Sequence, residues 1–155
     1  MSISTVPTAT ANLITAISAQ SAAKSVDNFV FGIHRGEPVH DWAVDDGIYI
    51  AQVNRTIARN EMTGNAVGAL REDYTLIVEI ACFRGGDNSD VVADVETRAW
   101  ALVNAVETAI RADRTLAGAV PDAWQEGSTF ISEWDPDNIG RRARVSINVH
   151  CWAFI

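Results

Sequence analysis

Positive charge is scarce in this chain: 12 lysines and arginines stand against 20 acidic residues among 155, a formal charge of -8. That balance argues against a broad phosphate-neutralising face and so against a dedicated DNA or RNA binder. It does not argue against a protein that lets DNA pass, because an acidic wall repels the backbone. Cysteine is equally sparse, with Cys82 and Cys151 each inside an apolar run. Neither a disulfide framework nor a zinc knuckle fits that spacing, and two buried thiols are expected. No apolar run is long enough to span a bilayer. The stretch before Lys24 carries no charge and lacks the basic start of a signal peptide, so a soluble protein not exported by a standard route is expected.

Phosphate and metal motifs are missing at the places that invite them. FRGGDNSD, residues 83–90, puts paired glycines where a strand hands over to a helix, yet no lysine and hydroxyl follow as in a P-loop, and a third glycine is absent. Asp87 and Asp90 would occupy the positive end of the helix dipole there and repel a phosphate. DPDNIG, residues 135–140, opens like a calcium loop but has Ile139 before Gly140 and Ser146 where a bidentate Glu belongs, so it reads as a hairpin turn. His34, His40, Asp41, Asp45 and Asp46 lack metalloprotease spacing and suit a solvated loop. There is no GxSxG elbow. No catalytic residue, cofactor or metal is expected, and His150 suits a packed or interfacial role.

What the chain does have is clear periodicity. Its 48% hydrophobic content fits a single domain over 1–155. In residues 8–23, Leu13, Ile14 and Ile17 return at helical spacing behind Pro7, with Thr8 or Thr10 as cap. A strand is expected over 29–34, then a long loop at 35–47. A half-exposed strand follows over 48–57, with Tyr49, Ala51, Val53 and Ile57 on one face and Gln52, Asn54 and Thr56 on the other. Residues 60–68, with two glycines and two asparagines, suit a loop. Residues 74–83 are apolar on both faces except for Glu79, which predicts a central strand covered on both sides. From Val91, the positions Val92, Val95, Ala99, Leu102, Val106 and Ala109 step by three and four, with Trp100 and Ile110 at the margins. They predict a long helix capped by Asp87, Asn88 or Ser89, supported by Asp90 and Asp94, closed by Arg111 and Arg114 and stopped by Gly118. Two strands end the pattern, over 128–134 and 144–155. The expected fold class is α+β, a two-layer α/β arrangement: a mixed, mainly antiparallel sheet of about four to five strands packed by an N-terminal helix and one long helix.

The remaining signal is aromatic and basic. Trp42, Trp124, Trp134 and Trp152 lie outside the long helix, and such side chains are enriched where proteins meet. Arg141, Arg142 and Arg144 form a basic knot in an acidic chain, suited to a neighbour's carboxylates or to nucleic acid. Self-assembly is the economical reading.

The order of elements, with REDYTLIVEI opening the central strand, RADRTLAGAV closing the long helix and RARVSINVHCWAFI at the end, resembles the tail terminator (tail completion, minor tail) proteins of long-tailed bacteriophages. The resemblance covers most of the chain from Gly47 onward, and the 35–47 loop looks longer than the family norm. It implies a small virion subunit, made in the host cytoplasm, that forms a ring, by family habit a homohexamer, at the head-proximal end of the tail tube. Its partners would be its own copies, the tail tube protein and a head-completion or connector protein. DNA would only pass through the lumen, and no membrane would be involved. Contacts are expected in the 35–47 loop with Trp42, in the 60–68 segment starting at Asn60, Glu61 and Met62, and around Trp134, Arg141, Arg142 and Arg144. A head-to-tail stopper or adaptor of the same neck competes with this reading. A small α+β ligand-binding domain also competes, and it requires polar groups converging in a pocket.

Overall fold

The computed structural model describes residues 4–36, 44–59, 70–86 and 88–155. The expected loop segments with Trp42, Asn60, Glu61 and Met62, and Asp87 as a cap, lie outside the described residues. Helix α1 (Val6–Ser18) is followed by strands β1 (Phe31–Arg35), β2 (Asp46–Arg59) and β3 (Leu70–Gly85). Helix α2 (Ser89–Ala112) and strands β4 (Asp122–Asp135) and β5 (Gly140–Phe154) complete the order. The five strands make one sheet in the order β1-β2-β3-β5-β4. Only the β1–β2 pair is parallel. The fold is the expected α+β class.

Alternation along β3 and β5 builds the core. Tyr74, Leu76, Val78, Ile80 and Cys82 point to one side, matched by Ala143, Val145, Ile147, Val149 and Cys151, all at most 1% exposed. Against them pack Leu13 and Ile17 of α1 and Val95, Ala99, Leu102, Val106 and Ala109 of α2. Each aliphatic side chain so buried contributes roughly 1.5–3 kcal/mol. The opposite face of β3 corrects the expectation of a strand covered on both sides: Ile77, Glu79, Ala81 and Phe83 are only half-buried. Both helices belong to the single core on the other side, so the apolar run in β3 meets helices on one face only.

The half-exposed strand is also corrected. A bulge between Ile50 and Gln52 shifts the register of β2 against β3. Before it, Ile48 and Ile50 join the core, and Tyr49 too is buried. The extra residue Ala51 flips the alternation, so that beyond it Val53, Arg55 and Ile57 take the core side opposite Leu76, Tyr74 and Glu72, with Ile57 exposed there, and Gln52, Asn54 and Thr56 take the other face.

Helix α1 starts earlier and stops sooner than its apolar spacing predicts, at Val6 and Ser18. Neither Thr8 nor Thr10 caps it: Thr10 is buried, and the N-cap residue is Thr5, whose own side chain makes no cap bond. The cap comes from across the molecule. Glu72 on β3, fully buried, accepts from the Thr5 N–H at 2.9 Å, the Thr5 hydroxyl at 2.9 Å and the Ser4 hydroxyl at 2.5 Å, and is salt-bridged by Arg55. A carboxylate thus sits at the positive end of the helix dipole.

Helix α2 is capped by Asn88, whose side-chain oxygen accepts from the Val91 N–H at 3.0 Å. Gly118 does not stop it. The helix ends at Ala112 because Asp113 turns extended and its carboxylate accepts from the Thr115 and Ala117 N–H groups and the Thr115 hydroxyl. Those bonds, the Thr115 hydroxyl first, hold the Asp113 carboxyl below its usual range. Arg114 leaves the helix axis to pair with Asp122 at 2.7 Å. Strands β4 and β5 both begin earlier than the alternation suggested, at Asp122 and Gly140.

Candidate functional site

With both helices on one side, the described residues present a bare sheet face. From β3 it carries Asp73, Thr75, Ile77, Glu79, Ala81 and Phe83, and register places Arg142, Arg144, Ser146, Asn148, His150 and Trp152 of β5 beside them. Thr129, Ile131 and Glu133 of β4 extend the same face. The face is mixed in character. Arg71 pairs with Asp73 at 2.8 Å and lies 5.1 Å over the Trp152 ring, which meets Phe154 edge-on. Trp124 lies 4.4 Å from the His150 ring at a tilt of 34°, and the His150 ring nitrogens lie 3.6 Å from Asp73 and 3.5 Å from Glu126. His150 is therefore packed among aromatic and acidic groups, as its strand position suggested.

The described interface candidates gather at one end of the sheet, where the 135–140 turn joins β4 to β5. Asp135 organises that turn, accepting from the Asn138 side chain at 2.9 Å, from the Asp137 and Asn138 N–H groups, and from Arg142 at 2.6 Å. The Asn138 amide foremost, with its N–H and the Arg142 charge, holds the Asp135 carboxyl below its usual range. Arg142 is thus partly committed within its own hairpin, which corrects its reading as a cation left for a neighbour. Arg144 projects from the bare face, exposed, between Ala81 on β3 and Ile131 on β4. Arg141 and Trp134 stand opposite each other in the β4–β5 ladder, with Trp134 41% exposed. Gly140 is required here, because a side chain would strike the Arg84 carbonyl oxygen and come within 2.6 Å of the Phe83 ring.

Beneath this end lies a charge cluster that sequence reasoning missed. Asp46, fully buried at the start of β2, accepts from Arg84 at 2.6 and 3.1 Å and from Arg98 at 2.8 Å. Arg84 also bonds Asp94, and Arg98 reaches the carbonyls of Ala22 and Lys24 at 2.9 and 2.6 Å. Arg84 lies 3.7 Å over the Phe29 ring. Burial works against the Arg84 charge, but the bonds from Asp46 and then Asp94 outweigh it and raise its pKa. The cluster ties the segment after α1 to α2, β2 and β3. It also consumes one of the aspartates considered as a metal ligand, and Asp45 is taken by the Val30 N–H at 2.8 Å. Among the described residues no group of three or more His, Cys, Asp or Glu is arranged to hold a metal ion.

Two open clefts of about 390 Å³ flank the sheet, one between the end of α2 and β4 around Glu107, Arg114 and Trp124, the other on β2 and β3 around Asn54, Asp73 and His150. The cysteines are fully buried. Burial pushes the Cys82 thiol well above its usual range and Cys151 up to about 12, so neither is an activated nucleophile. No described helix is long and apolar enough to cross a membrane. The chain matches no protein-family model. It matches no curated protein either.

Proposed function

We propose that this chain is a structural virion protein that assembles into a ring at the head-proximal end of a phage tail tube, stops tube polymerisation and joins the tail to the head connector. The observation that carries the reading is the architecture: an N-terminal helix, a strand pair, a central strand opening at Arg71-Glu72-Asp73-Tyr74, one long helix and two closing strands. Both helices cover a single side, so a rigid layer leaves its other face and its edges available for protein contacts. A repeated head-to-tail contact between copies closes into a ring when the rotation between them divides the circle. The net charge of -8 suits a lumen through which DNA passes without adhering.

The test is light scattering of the purified protein, alone and mixed with phage tails that lack a terminator. A closed ring, or a monomer that forms one only on tube ends and halts their growth, supports the terminator. A protein that ignores tubes and binds the portal side of heads points instead to a stopper or adaptor of the same neck.

A further inference from the structure

The sheet has two edges, and among the described residues neither is covered along its whole length. Strand β2 is 14 residues long, but β1 pairs only with its first five, 46–50, leaving the outer side of residues 51–59 as a nine-residue row of backbone donors and acceptors. At the far side, β4 is also 14 residues long, and beyond its bulge at Gln125/Gly127 residues 127–135 form an outer row of the same length. Among the described residues, the backbone of neither row makes a hydrogen bond to another backbone group other than those of its own ladder. Soluble proteins usually shield such edges with lysine, proline or a covering element. Residues 51–59 and 127–135 contain no lysine or proline.

Direction makes the two rows complementary. Strand β2 runs antiparallel to β3, β3 to β5 and β5 to β4, so β2 and β4 run in opposite directions. When a second copy is placed beside the first by a rotation about an axis along the strands, β4 of one meets β2 of the next antiparallel, with bare faces on the same side. Residues 51–59 carry Arg55 and Arg59 and no acid, whereas residues 127–135 carry Glu133 and Asp135 and no base. Arg55 is engaged by Glu72 on the helix side of the sheet and Asp135 by Arg142, so the match between the two rows is one of backbone direction and length rather than of charge.

We propose that copies of this chain join edge to edge, β4 of one adding as an antiparallel strand to residues 51–59 of the next, so that one sheet runs through the assembly. This rests on the self-assembly part of the function proposed above and specifies its contact. The bonding is backbone to backbone, which supplies affinity, while the opposite running directions of β2 and β4 set the antiparallel sense. The contact is heterologous, since the surfaces differ, and so it generates a ring or a filament rather than a two-fold dimer.

Disulfide trapping tests it. Asn54→Cys, Thr56→Cys and Ala58→Cys, on the bare-face side of β2, are each combined in one chain with Thr129→Cys, Ile131→Cys or Glu133→Cys on the same side of β4. Native Cys82 and Cys151 are fully buried and do not compete. Under mild oxidation at a concentration where wild type assembles, at least one pair is expected to give a covalent ladder of multimers, and Asn104→Cys on the exposed side of α2 none. Assembly without any β2–β4 cross-link overturns the edge contact and leaves ring formation standing. A protein that stays monomeric alone and on tube ends overturns both.

Discussion

Asp46 and Arg84 meet at 2.6 Å inside the protein, the aspartate wholly out of solvent and the arginine side chain 4% exposed. Each charge is tolerable only because the other is present, and Arg98 shares the same carboxylate at 2.8 Å. Removing the carboxylate leaves the buried Arg98 without a carboxylate partner and Arg84 with only the exposed Asp94. Asp46→Ala is therefore expected to cost about 3–5 kcal/mol. Urea denaturation of the variant should show a lower midpoint, and an unchanged midpoint would contradict the cluster.

Glu72 supplies the pH dependence. Burial alone would push its carboxyl up, but hydrogen bonds from Ser4, the Thr5 N–H, Arg55 and the Thr5 hydroxyl pull it below its usual range. A depressed folded pKa gives stability that is fully present above the unfolded value, near 4.3, and lost as pH falls through the folded one. Glu72→Gln should thus be less stable than wild type by about 1–3 kcal/mol near neutral pH, with the gap closing at acid pH. Thermal melts of the two proteins across that range measure it. A gap that widens on acidification would reverse the sign.

At Gly140 the obstruction is backbone and ring together, neither the end of a flexible chain. Gly140→Ala is expected to destabilise by about 1–3 kcal/mol. Gly127→Ala, with nothing within 4 Å of the added carbon, is the comparison. Equal midpoints for the two variants would refute the close approach.

Two of the hairpin arginines, Arg142 and Arg144, should separate. Arg144→Glu, exposed, is expected to weaken assembly at an unchanged melting temperature. Arg142→Glu places a like charge beside Asp135 and should lower the melting temperature as well. Light scattering and calorimetry on both variants decide the matter, and an Arg144→Glu protein that assembles as before removes that side chain from the interface.

Much of the fold was legible because burial imposes period. The three- and four-residue steps from Val92 to Ala109 and the alternation from Val145 to Ala153 each mark one face turned to a common core. What stayed hidden depends on partners far away in the chain. The bulge at Ile50/Gln52 leaves no mark in a strand whose residues are plausible in either register. The cap of α1 is a glutamate 67 residues beyond Thr5, and Asp46 finds its arginines 38 and 52 residues on. A charged residue reads as exposed until its partner is known, so Asp46, Glu72, Arg84 and Arg98 gave no signal. Of the expected interface side chains, Trp134 and Arg144 are exposed, while Arg142 is occupied by its own turn.

Strand β5 follows β4 in sequence yet lies between β3 and β4 in the sheet. Until β5 is synthesised, β4 has no strand beside it, and β3 lacks the neighbour on that side. During translation, then, the helices and the first three strands emerge before the element that completes the hydrophobic layer beneath them. Closure is a late, long-range step, of the kind that slows folding. A ribosome-bound chain stopped before Gly140 would present β4 as an unpaired ribbon, open to any other strand it encounters.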